Sequence, residues 1–213
     1  MKINKNQEII CGINVIETIL DLRPASAKTL FVLDSKSNSR INKILSAAKT
    51  SQIEISLKTK DFFSEYLGDQ NHQGLALLCN KRSEEQESFL DKLLEKESLL
   101  LLILDHITDP HNVGACLRSA AAANVDAVIV PKHRSCHLTP TVRKISSGGS
   151  ELVPFVVVTN LVRTIKKMKL SNVNIVGAEK NGEMDYKEIV LEKKNALIIG
   201  SEDKGLKLSL IHI

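Results

Sequence analysis

Residues 99–104 read LLLLIL, and this run, with DHITDPHNVGACLRSAAAANV at 105–125 after it, decides the fold. Further short runs that are apolar on both faces alternate with helical segments at 112–124 and 160–169. These runs lie at 127–130, 153–158, 173–176 and 196–199. Such strands between helices are typical of a mostly parallel sheet covered on both sides. Ligands of these sheets bind at the carboxyl ends of the strands, so the loops after Leu104 and Ile199 form the candidate site.

The chain before this sheet predicts a separate and smaller unit. Within residues 1–80, a helical pattern alternates with short strand-like runs. The helical set is Ile9, Ile13, Ile16 and Leu20, and the strand-like runs lie at 29–33, 53–57 and 75–79. Residues 81–97 hold ten charges in seventeen positions, which favours a solvated linker whose second half could be helical through Leu90, Leu93 and Leu94. We therefore predict an α/β protein with a small N-terminal α/β domain over 1–80, a charged linker over 81–97 and a mostly parallel α/β domain over 98–213.

Composition excludes several classes of protein. Of 213 residues, 43% are hydrophobic and 25% charged, which is a globular composition and neither a disordered nor a fibrous one. The longest apolar run, at 99–104, is far shorter than the roughly 20 residues of a membrane-spanning helix, and we expect no signal peptide. The four cysteines form no C-x-x-C pair, which argues against a zinc ribbon or a disulfide framework. We expect a cytoplasmic protein without a membrane segment.

Arg118 is the unusual residue of the first candidate loop and its helix. Asp109 or Asn112 could cap this helix, which follows Pro110. One turn away on either side, Arg118 has only small uncharged neighbours, so no acid is placed to pair with it. These neighbours are Gly114, Ala115, Ala121 and Ala122. A guanidinium in this position suits an anion such as phosphate, although its stem could equally cover apolar surface while its head reaches solvent.

Two weaker signals accompany this loop. Four possible metal ligands lie within seven residues, but their spacing fits no common site, and we expect no metal; they are Asp105, His106, Asp109 and His111. In the second candidate loop, LIIGSEDKGL at 197–206, Glu202 lies between Gly200 and Gly205. Two glycines around an acid could cradle a small ligand, but ordinary turns between a strand and a helix have the same pattern.

The basic residues are concentrated in one part of the chain. The net charge of the whole protein is only +4, whereas residues 127–178 contain eight basic side chains against Glu151 alone. Such enrichment in one sign favours a polyanionic partner. The candidate contacts nearest the site are Lys132, Arg134, Arg143 and Lys144. Aromatic residues make up 3% of the chain and there is no tryptophan, so any RNA would be held through its backbone and shape rather than by base stacking.

Together these segments resemble the SpoU (TrmH-like) family of RNA ribose 2'-O-methyltransferases, within the SPOUT superfamily. The stretch LDHITDPHNVGACLRSAAAANVDAVIVPKHRS resembles the first motif of the family, and IIGSEDKGL resembles its second. PTVRKISSGGSELVPFVVVTNLVRTI is similar to the central region. GINVIETIL and HQGLALLC are similar to the N-terminal substrate-binding domain. The resemblance covers nearly the whole chain, and the two motifs at this separation are highly specific.

The resemblance implies a function and a set of site residues. It implies an RNA-binding N-terminal domain and a SPOUT domain whose deep trefoil knot binds S-adenosylmethionine. The expected reaction is methyl transfer to the ribose 2'-hydroxyl of a guanosine in 23S ribosomal RNA by a homodimer. Carried over by position, the catalytic residues are Asn112, Arg118 and Glu202. The cofactor-binding residues are Gly200, Ser201 and Gly205.

The end of the chain departs from the family pattern. A third motif, which supplies a catalytic Ser/Asn pair and half of the cofactor pocket, should follow Leu206 by roughly a dozen residues or more. The chain instead ends in KLSLIHI. We therefore expect an incomplete knot in this polypeptide, assign the function to the parent protein, and expect these 213 residues alone to be inactive or severely impaired.

Three other functions remain open at this point. A sister enzyme of the same family would act on a tRNA ribose, although such enzymes more often carry basic terminal extensions than a separate N-terminal domain. An RNA-binding module without catalysis would show no affinity for S-adenosylmethionine. A nicotinamide-dependent oxidoreductase is the most distant alternative, because no G-x-G-x-x-G follows any candidate strand.

Overall fold

The structure is a computed structural model that describes residues 3–34, 38–180, 182, 184–202 and 205–207. Its first part is a four-stranded sheet of order β1-β4-β2-β3, in which β2 and β3 are parallel and the other pairs antiparallel. Its elements are β1 (Gln7–Cys11), α1 (Ile13–Leu22), β2 (Ala27–Leu33), α2 (Ser39–Thr50), β3 (Glu54–Lys58), α3 (Lys60–Leu67) and β4 (Leu75–Asn80). Helices α1 and α2 pack on one face and α3 on the other, so this part has its own core.

The first helix begins later than its apolar pattern predicts. Ile9 belongs to β1, where it pairs with Leu78 of β4, and α1 begins at Ile13. Gly12 separates the two elements with a φ of 114°, a conformation that glycine adopts readily. The pattern of Ile9 and Ile13 therefore spans two elements, because a buried strand and a helix can present apolar residues in succession.

The second sheet has six strands in the order β5-β8-β7-β6-β10-β9, and each of its pairings is parallel. Its strands are β5 (Glu85–Gln86), β6 (Leu99–Asp105), β7 (Ala127–Pro131), β8 (Phe155–Val158), β9 (Asn174–Ala178) and β10 (Lys194–Gly200). Its helices are α4 (Ser88–Leu94), α5 (Pro110–Ala122), α6 (Pro140–Ile145), α7 (Gly149–Leu152) and α8 (Leu161–Leu170). The predicted α/β class with a mostly parallel sheet is confirmed.

Both faces of this sheet are covered, as the apolar strands predict. Leu101 and Ile103 of β6 pack on the side of α4 and α8, whereas Leu102 and Leu104 pack on the side of α5 and α6. Asp109 caps α5 by accepting a hydrogen bond from the backbone N–H of His111 at 2.9 Å. Pro110 occupies the first position of α5. A backbone N–H there would have no partner within the helix, so proline is well suited to this position.

Residues 81–97 differ from the solvated linker that their charge predicts. Strand β5 pairs with β8 as the outermost strand of the parallel sheet, and Leu90 of α4 is only 1% exposed in the core of that sheet. The charges lie on the outside of α4, while Leu90, Leu93 and Leu94 form an apolar stripe on its inside. Much of this segment therefore belongs structurally to the C-terminal domain.

In the part of the chain that the structure describes, no helix combines the length and apolar character that crossing a membrane requires. The expected incomplete knot and missing third motif concern the terminal segment 208–213, which lies outside the described residues.

Candidate active site

The two candidate loops meet at one edge of the parallel sheet. Strands β6 and β10 are neighbours, and their last residues, Asp105 and Gly200, are register partners. The segments that follow both strands therefore leave the sheet side by side. Asn112, in the first turns of α5, donates a hydrogen bond from Nδ2 to Oε2 of Glu202 at 3.3 Å. Two residues that are 90 positions apart in sequence thus come together where ligands of parallel sheets bind.

The segment after β10 folds back on itself, and we call residues 200–207 the glycine loop; of these, 203 and 204 lie outside the described residues. The N–H of Gly205 donates to the carbonyl of Ser201 at 2.8 Å. The buried carboxylate of Asp105 accepts the N–H of Lys207 at 3.0 Å. The glycine loop is therefore anchored to the end of β6 as well as to β10.

Glu179 is a member of this site that the motifs do not indicate. It follows β9, the other neighbour of β10, and its Oε2 accepts the N–H of Leu206 at 3.1 Å. A carboxylate acceptor satisfies a backbone donor that the turn leaves without a strand partner. Its position after a strand end is a signal that could have found it, because β9 was predicted as a strand of the same sheet.

The glycines of this loop allow the close approach of two backbones. A Cβ on Gly200 would overlap the carbonyl group of Gly205, and Gly205 itself has a φ of +62°. A Cβ on Gly177 would come within 2.8 Å of Leu206 Cδ1. The loop can close in this form because glycine lacks a side chain at Gly200 and adopts positive φ at Gly205.

Arg118 lies apart from the pair formed by Asn112 and Glu202. Arg118 lies six positions after Asn112 on α5, which corresponds to roughly 9 Å along the helix axis and roughly 120° around it. Its side chain is exposed, and within the described residues no hydrogen bond or ion pair holds it. The backbone beside it is crowded, because a Cβ on Gly149 of α7 would lie 3.1 Å from Arg118 Cα. The guanidinium is thus free for an external anion while its helix is firmly packed.

The four basic residues expected to contact RNA occupy different environments. Lys132 and Arg134 are exposed in the loop after β7, and Lys144 is half-buried on α6. Arg143 is instead 1% exposed and forms ion pairs with Glu8 and Glu151. An RNA-binding role for Arg143 does not agree with this interior position, and we assign it a different role below.

Part of the basic segment is also neutralised within the protein. Arg163 on α8 pairs with Glu87 at 2.9 Å, and Lys167 pairs with Asp91 of α4. Two of the acidic residues of 81–97, Glu87 and Asp91, therefore face the basic side of α8. The surface that remains for a polyanion is smaller than the sequence charge indicates, and it centres on the loop after β7.

This basic loop is connected to the start of the C-terminal domain through His137. Its Nδ1 lies 2.9 Å from Oε2 of Glu84, and its Nε2 lies 3.1 Å from the carbonyl oxygen of Lys132. Both partners are acceptors, so both ring nitrogens make a hydrogen bond only when the imidazole is protonated. Burial lowers the pKa of His137, but the hydrogen bond and charge of Glu84 and the Lys132 carbonyl outweigh burial and raise this pKa above 6.5.

We predict that this contact weakens as the pH rises. Because the pKa of His137 is raised in the folded state, its stabilisation is fully present below about pH 6.5 and is lost as the pH rises through the folded-state pKa. Glu84→Gln should shift the titration of His137, followed by NMR of its ring carbons, to lower pH. Glu85→Gln, one position along, is the matched control. An unchanged His137 titration in Glu84→Gln would contradict the proposed pairing.

Three of the four residues considered as metal ligands make other contacts within the protein. Asp109 caps α5, and Asp105 contacts His106 Nδ1 besides accepting the Lys207 N–H. In the described ranges, no group of three His, Cys, Asp or Glu side chains converges in a way that could hold a metal ion.

Comparison with known proteins identifies both parts of the chain. Residues 99–213 match the SpoU rRNA Methylase family, and residues 9–85 match the RNA 2'-O ribose methyltransferase substrate binding family. The 23S rRNA (guanosine-2'-O-)-methyltransferase RlmB of Acinetobacter baylyi is 39% identical over 207 residues, covering 94% of this chain and 82% of that protein. RlmB of Escherichia coli K12 is 35% identical over 201 residues, covering 94% of this chain and 83% of that protein.

Solved structures agree with this fold. The SpoU methyltransferase AviRb from Streptomyces viridochromogenes, in complex with AdoMet, superposes with a TM-score of 0.77 at 19% identity, covering 97% of this chain and 78% of that one. An AdoMet-bound rRNA methyltransferase from Sinorhizobium meliloti gives a TM-score of 0.75 at 20% identity, covering 97% and 75%. The family match spans more than half of the chain, and the relatives exceed 30% identity over most of their length. The chain therefore belongs to the SpoU rRNA methylase family.

Proposed function

We propose that the protein transfers a methyl group from S-adenosylmethionine to the ribose 2'-hydroxyl of a guanosine in 23S rRNA. The observation that carries this proposal is the hydrogen bond between Asn112 and Glu202, which unites the two motifs beside the glycine loop. The RlmB relatives, at 35–39% identity over most of the chain, support the choice of reaction and substrate.

The residues at this edge of the sheet fit a nucleoside cofactor. Gly177 and Ala178 end β9 with small, exposed residues, and Gly200 ends the neighbouring β10. Small residues leave backbone N–H and C=O groups open to the edges of a flat base, and the buried Leu206 adds an apolar wall. Gly200, Ser201 and Gly205 would hold the cofactor, which supplies an electrophilic methyl group on a sulfonium when bound.

The polar residues of the site would orient the ribose hydroxyl and assist its deprotonation. A ribose 2'-hydroxyl is a weak nucleophile at neutral pH, so the protein must orient it and assist the loss of its proton. A guanidinium stays protonated, which makes Arg118 unsuitable as a base and suitable as a clamp on the phosphate beside the reacting ribose. Asn112 orients the ribose, and Glu202 fixes the amide of Asn112 through their hydrogen bond.

We propose that RNA is held by two surfaces. The N-terminal domain, residues 1–80, supplies one, and exposed Lys132 and Arg134 with half-buried Lys144 supply the other beside the strand ends. Phosphate contacts of this kind position a substrate without reading its sequence. Base identity then depends on the N-terminal domain and on RNA shape.

We also propose a cytoplasmic homodimer. The four cysteines are free thiols, which suits a reducing compartment. A groove of about 360 Å³ between α5 and the sheet is lined mainly by apolar side chains, among them Leu100 and Leu197, which are 36% and 37% exposed. Such a face suits a subunit interface next to the site. Sedimentation at micromolar concentration of the parent protein, which we call the full-length protein, tests the dimer. A monomer would contradict this proposal.

The substrate is tested by offering the full-length protein 23S rRNA and bulk tRNA in separate reactions with labelled S-adenosylmethionine. We expect incorporation into 23S rRNA and little into tRNA. Preferential labelling of tRNA would favour the sister activity. Binding of RNA with no affinity for S-adenosylmethionine would identify a binding module and overturn the enzymatic proposal.

A further inference from the structure

A buried ionic cluster joins the two domains, and we call it the joint. Arg143 of α6 donates from Nε to Oε1 of Glu151 of α7 at 2.8 Å, and its Nη1 contacts Glu8 of β1. Arg23, which follows α1, donates from Nε to Oε2 of Glu151 at 2.7 Å. Each domain thus contributes one acid and one arginine. In one interdomain pair the arginine belongs to the C-terminal domain (Arg143 with Glu8), and in the other it belongs to the N-terminal domain (Arg23 with Glu151). Both domains are therefore needed to complete the cluster.

Three of the four side chains of the joint are buried, whereas that of Arg23 is 24% exposed. The side chains of Arg143 and Glu151 are 1% and 0% exposed, and that of Glu8 is 7% exposed. Burial raises the pKa of Glu8, while the charge and hydrogen bond of Arg143 oppose this rise. Paired charges in such a place add little to stability over apolar residues, but breaking one pair leaves its partner uncompensated. The joint is therefore better suited to fixing a geometry than to adding stability.

Two adjacent glycines near Glu151, Gly148 and Gly149, pack closely against α1 and α5, respectively. A Cβ on Gly148 would overlap Thr18 Oγ1 of α1, in the N-terminal domain. A Cβ on Gly149 would come within 2.6 Å of the Leu117 carbonyl oxygen on α5. The segment 142–151 is therefore packed between the RNA-binding domain and the helix that carries Asn112 and Arg118. On the α6 side, a Cβ on Gly114 would lie 2.6 Å from Ile145 Cβ.

We propose that Arg143 is a positioning residue for methyl transfer. Through Glu8 and Glu151, it holds the RNA-binding domain against segment 142–151 and thereby sets the position of α5 relative to the bound RNA. This inference rests on the proposed function, because it takes Asn112 and Arg118 as the residues that act on RNA. A basic residue that composition assigns to the RNA surface acts instead between the domains.

The test uses Glu8→Gln in the full-length protein. This change removes one of the two ion pairs that cross the boundary, Arg143–Glu8. It leaves the interdomain Arg23–Glu151 pair and the Arg143–Glu151 pair within the C-terminal domain. At saturating RNA we expect kcat to fall by about tenfold to a hundredfold, since small misplacements of a site have effects of that size. The Kd for S-adenosylmethionine should change less than about twofold, because the glycine loop lies outside the joint. Hydrogen exchange of the backbone amides of α5 and α7 should become faster.

The matched control is Asp91→Asn, which removes the exposed pair with Lys167 between α4 and α8, outside both the joint and the proposed RNA surfaces. It should change neither kcat nor exchange in α5. Unchanged kcat in Glu8→Gln, or reduced kcat with unchanged exchange in α5, would overturn the proposal. A lower melting temperature with normal kcat would also overturn it, by showing a purely structural role. Should Glu8→Gln not fold, Glu8→Asp with the same readouts replaces it. If Arg118→Ala retains activity while Glu8→Gln still speeds hydrogen exchange in α5, the proposed catalytic site is wrong. The coupling between the joint and α5 is then still supported.

Discussion

Replacing Arg118 with alanine should reduce methyl transfer by at least about a hundredfold to a thousandfold, which is the usual effect of removing one charged or hydrogen-bonding group from a reacting centre. Arg118 has no partner among the described residues, so its removal leaves no buried charge and should leave the fold intact. The loss should appear in kcat, while the Kd for S-adenosylmethionine stays within about twofold. Single-turnover methylation and calorimetric cofactor titration measure the two quantities.

Two variants make this result specific. Arg163→Ala removes an exposed arginine from α8, on the opposite face of the sheet, and should leave turnover near normal. Arg118→Lys keeps the charge but loses the planar fork that fits a phosphate, so we expect partial activity. Near-normal turnover by Arg118→Ala would remove Arg118 from the site.

Replacing Gly200 with alanine should weaken S-adenosylmethionine binding by about tenfold to a hundredfold. The added methyl group would overlap the backbone carbonyl of Gly205, and neither backbone can move without opening the glycine loop. Overpacking of this kind costs about 1–3 kcal/mol, which corresponds to that range of affinity. Isothermal titration of the purified variant with S-adenosylmethionine measures the change.

Gly182→Ala is the control for this experiment. It adds the same methyl group between β9 and β10, where the nearest atom, the carbonyl oxygen of Glu179, lies 3.3 Å away. Its cofactor affinity should match that of the unmodified protein. If Gly200→Ala binds S-adenosylmethionine as tightly as Gly182→Ala does, the close contact of Gly200 and Gly205 is not part of the cofactor site.

The sequence predicts the sheet and the meeting of its loops because both follow from local patterns. Runs such as 99–104 and 196–199 are apolar on both faces, and buried parallel strands place their following loops at one edge. That rule alone brings Asn112 near Glu202. The catalytic and cofactor-binding roles of these residues are implied by the family resemblance, since spacing alone cannot distinguish a ligand loop from an ordinary turn.

Other features cannot be predicted from the sequence because they depend on contacts between distant segments. The charges of 81–97 favour a linker with a helix in its second half, but they do not show that Leu90 packs into the core of the sheet or that Glu87 pairs with Arg163. Arg143 belongs by composition to a basic surface, but its two acidic partners lie on β1 and α7 and remove it from solvent. Charge counts along a chain do not show which charges neutralise each other after folding.

Nucleoside mass spectrometry of 23S rRNA, after reaction with the full-length protein and S-adenosylmethionine, tests the central claim most directly. The proposed site predicts one new modified nucleoside, guanosine methylated on its ribose 2'-oxygen, and its absence when Arg118→Ala is used. A methyl group found on a base, or unmodified RNA despite measurable binding of both RNA and S-adenosylmethionine, would contradict the assignment of Asn112, Arg118 and Glu202 to ribose methylation.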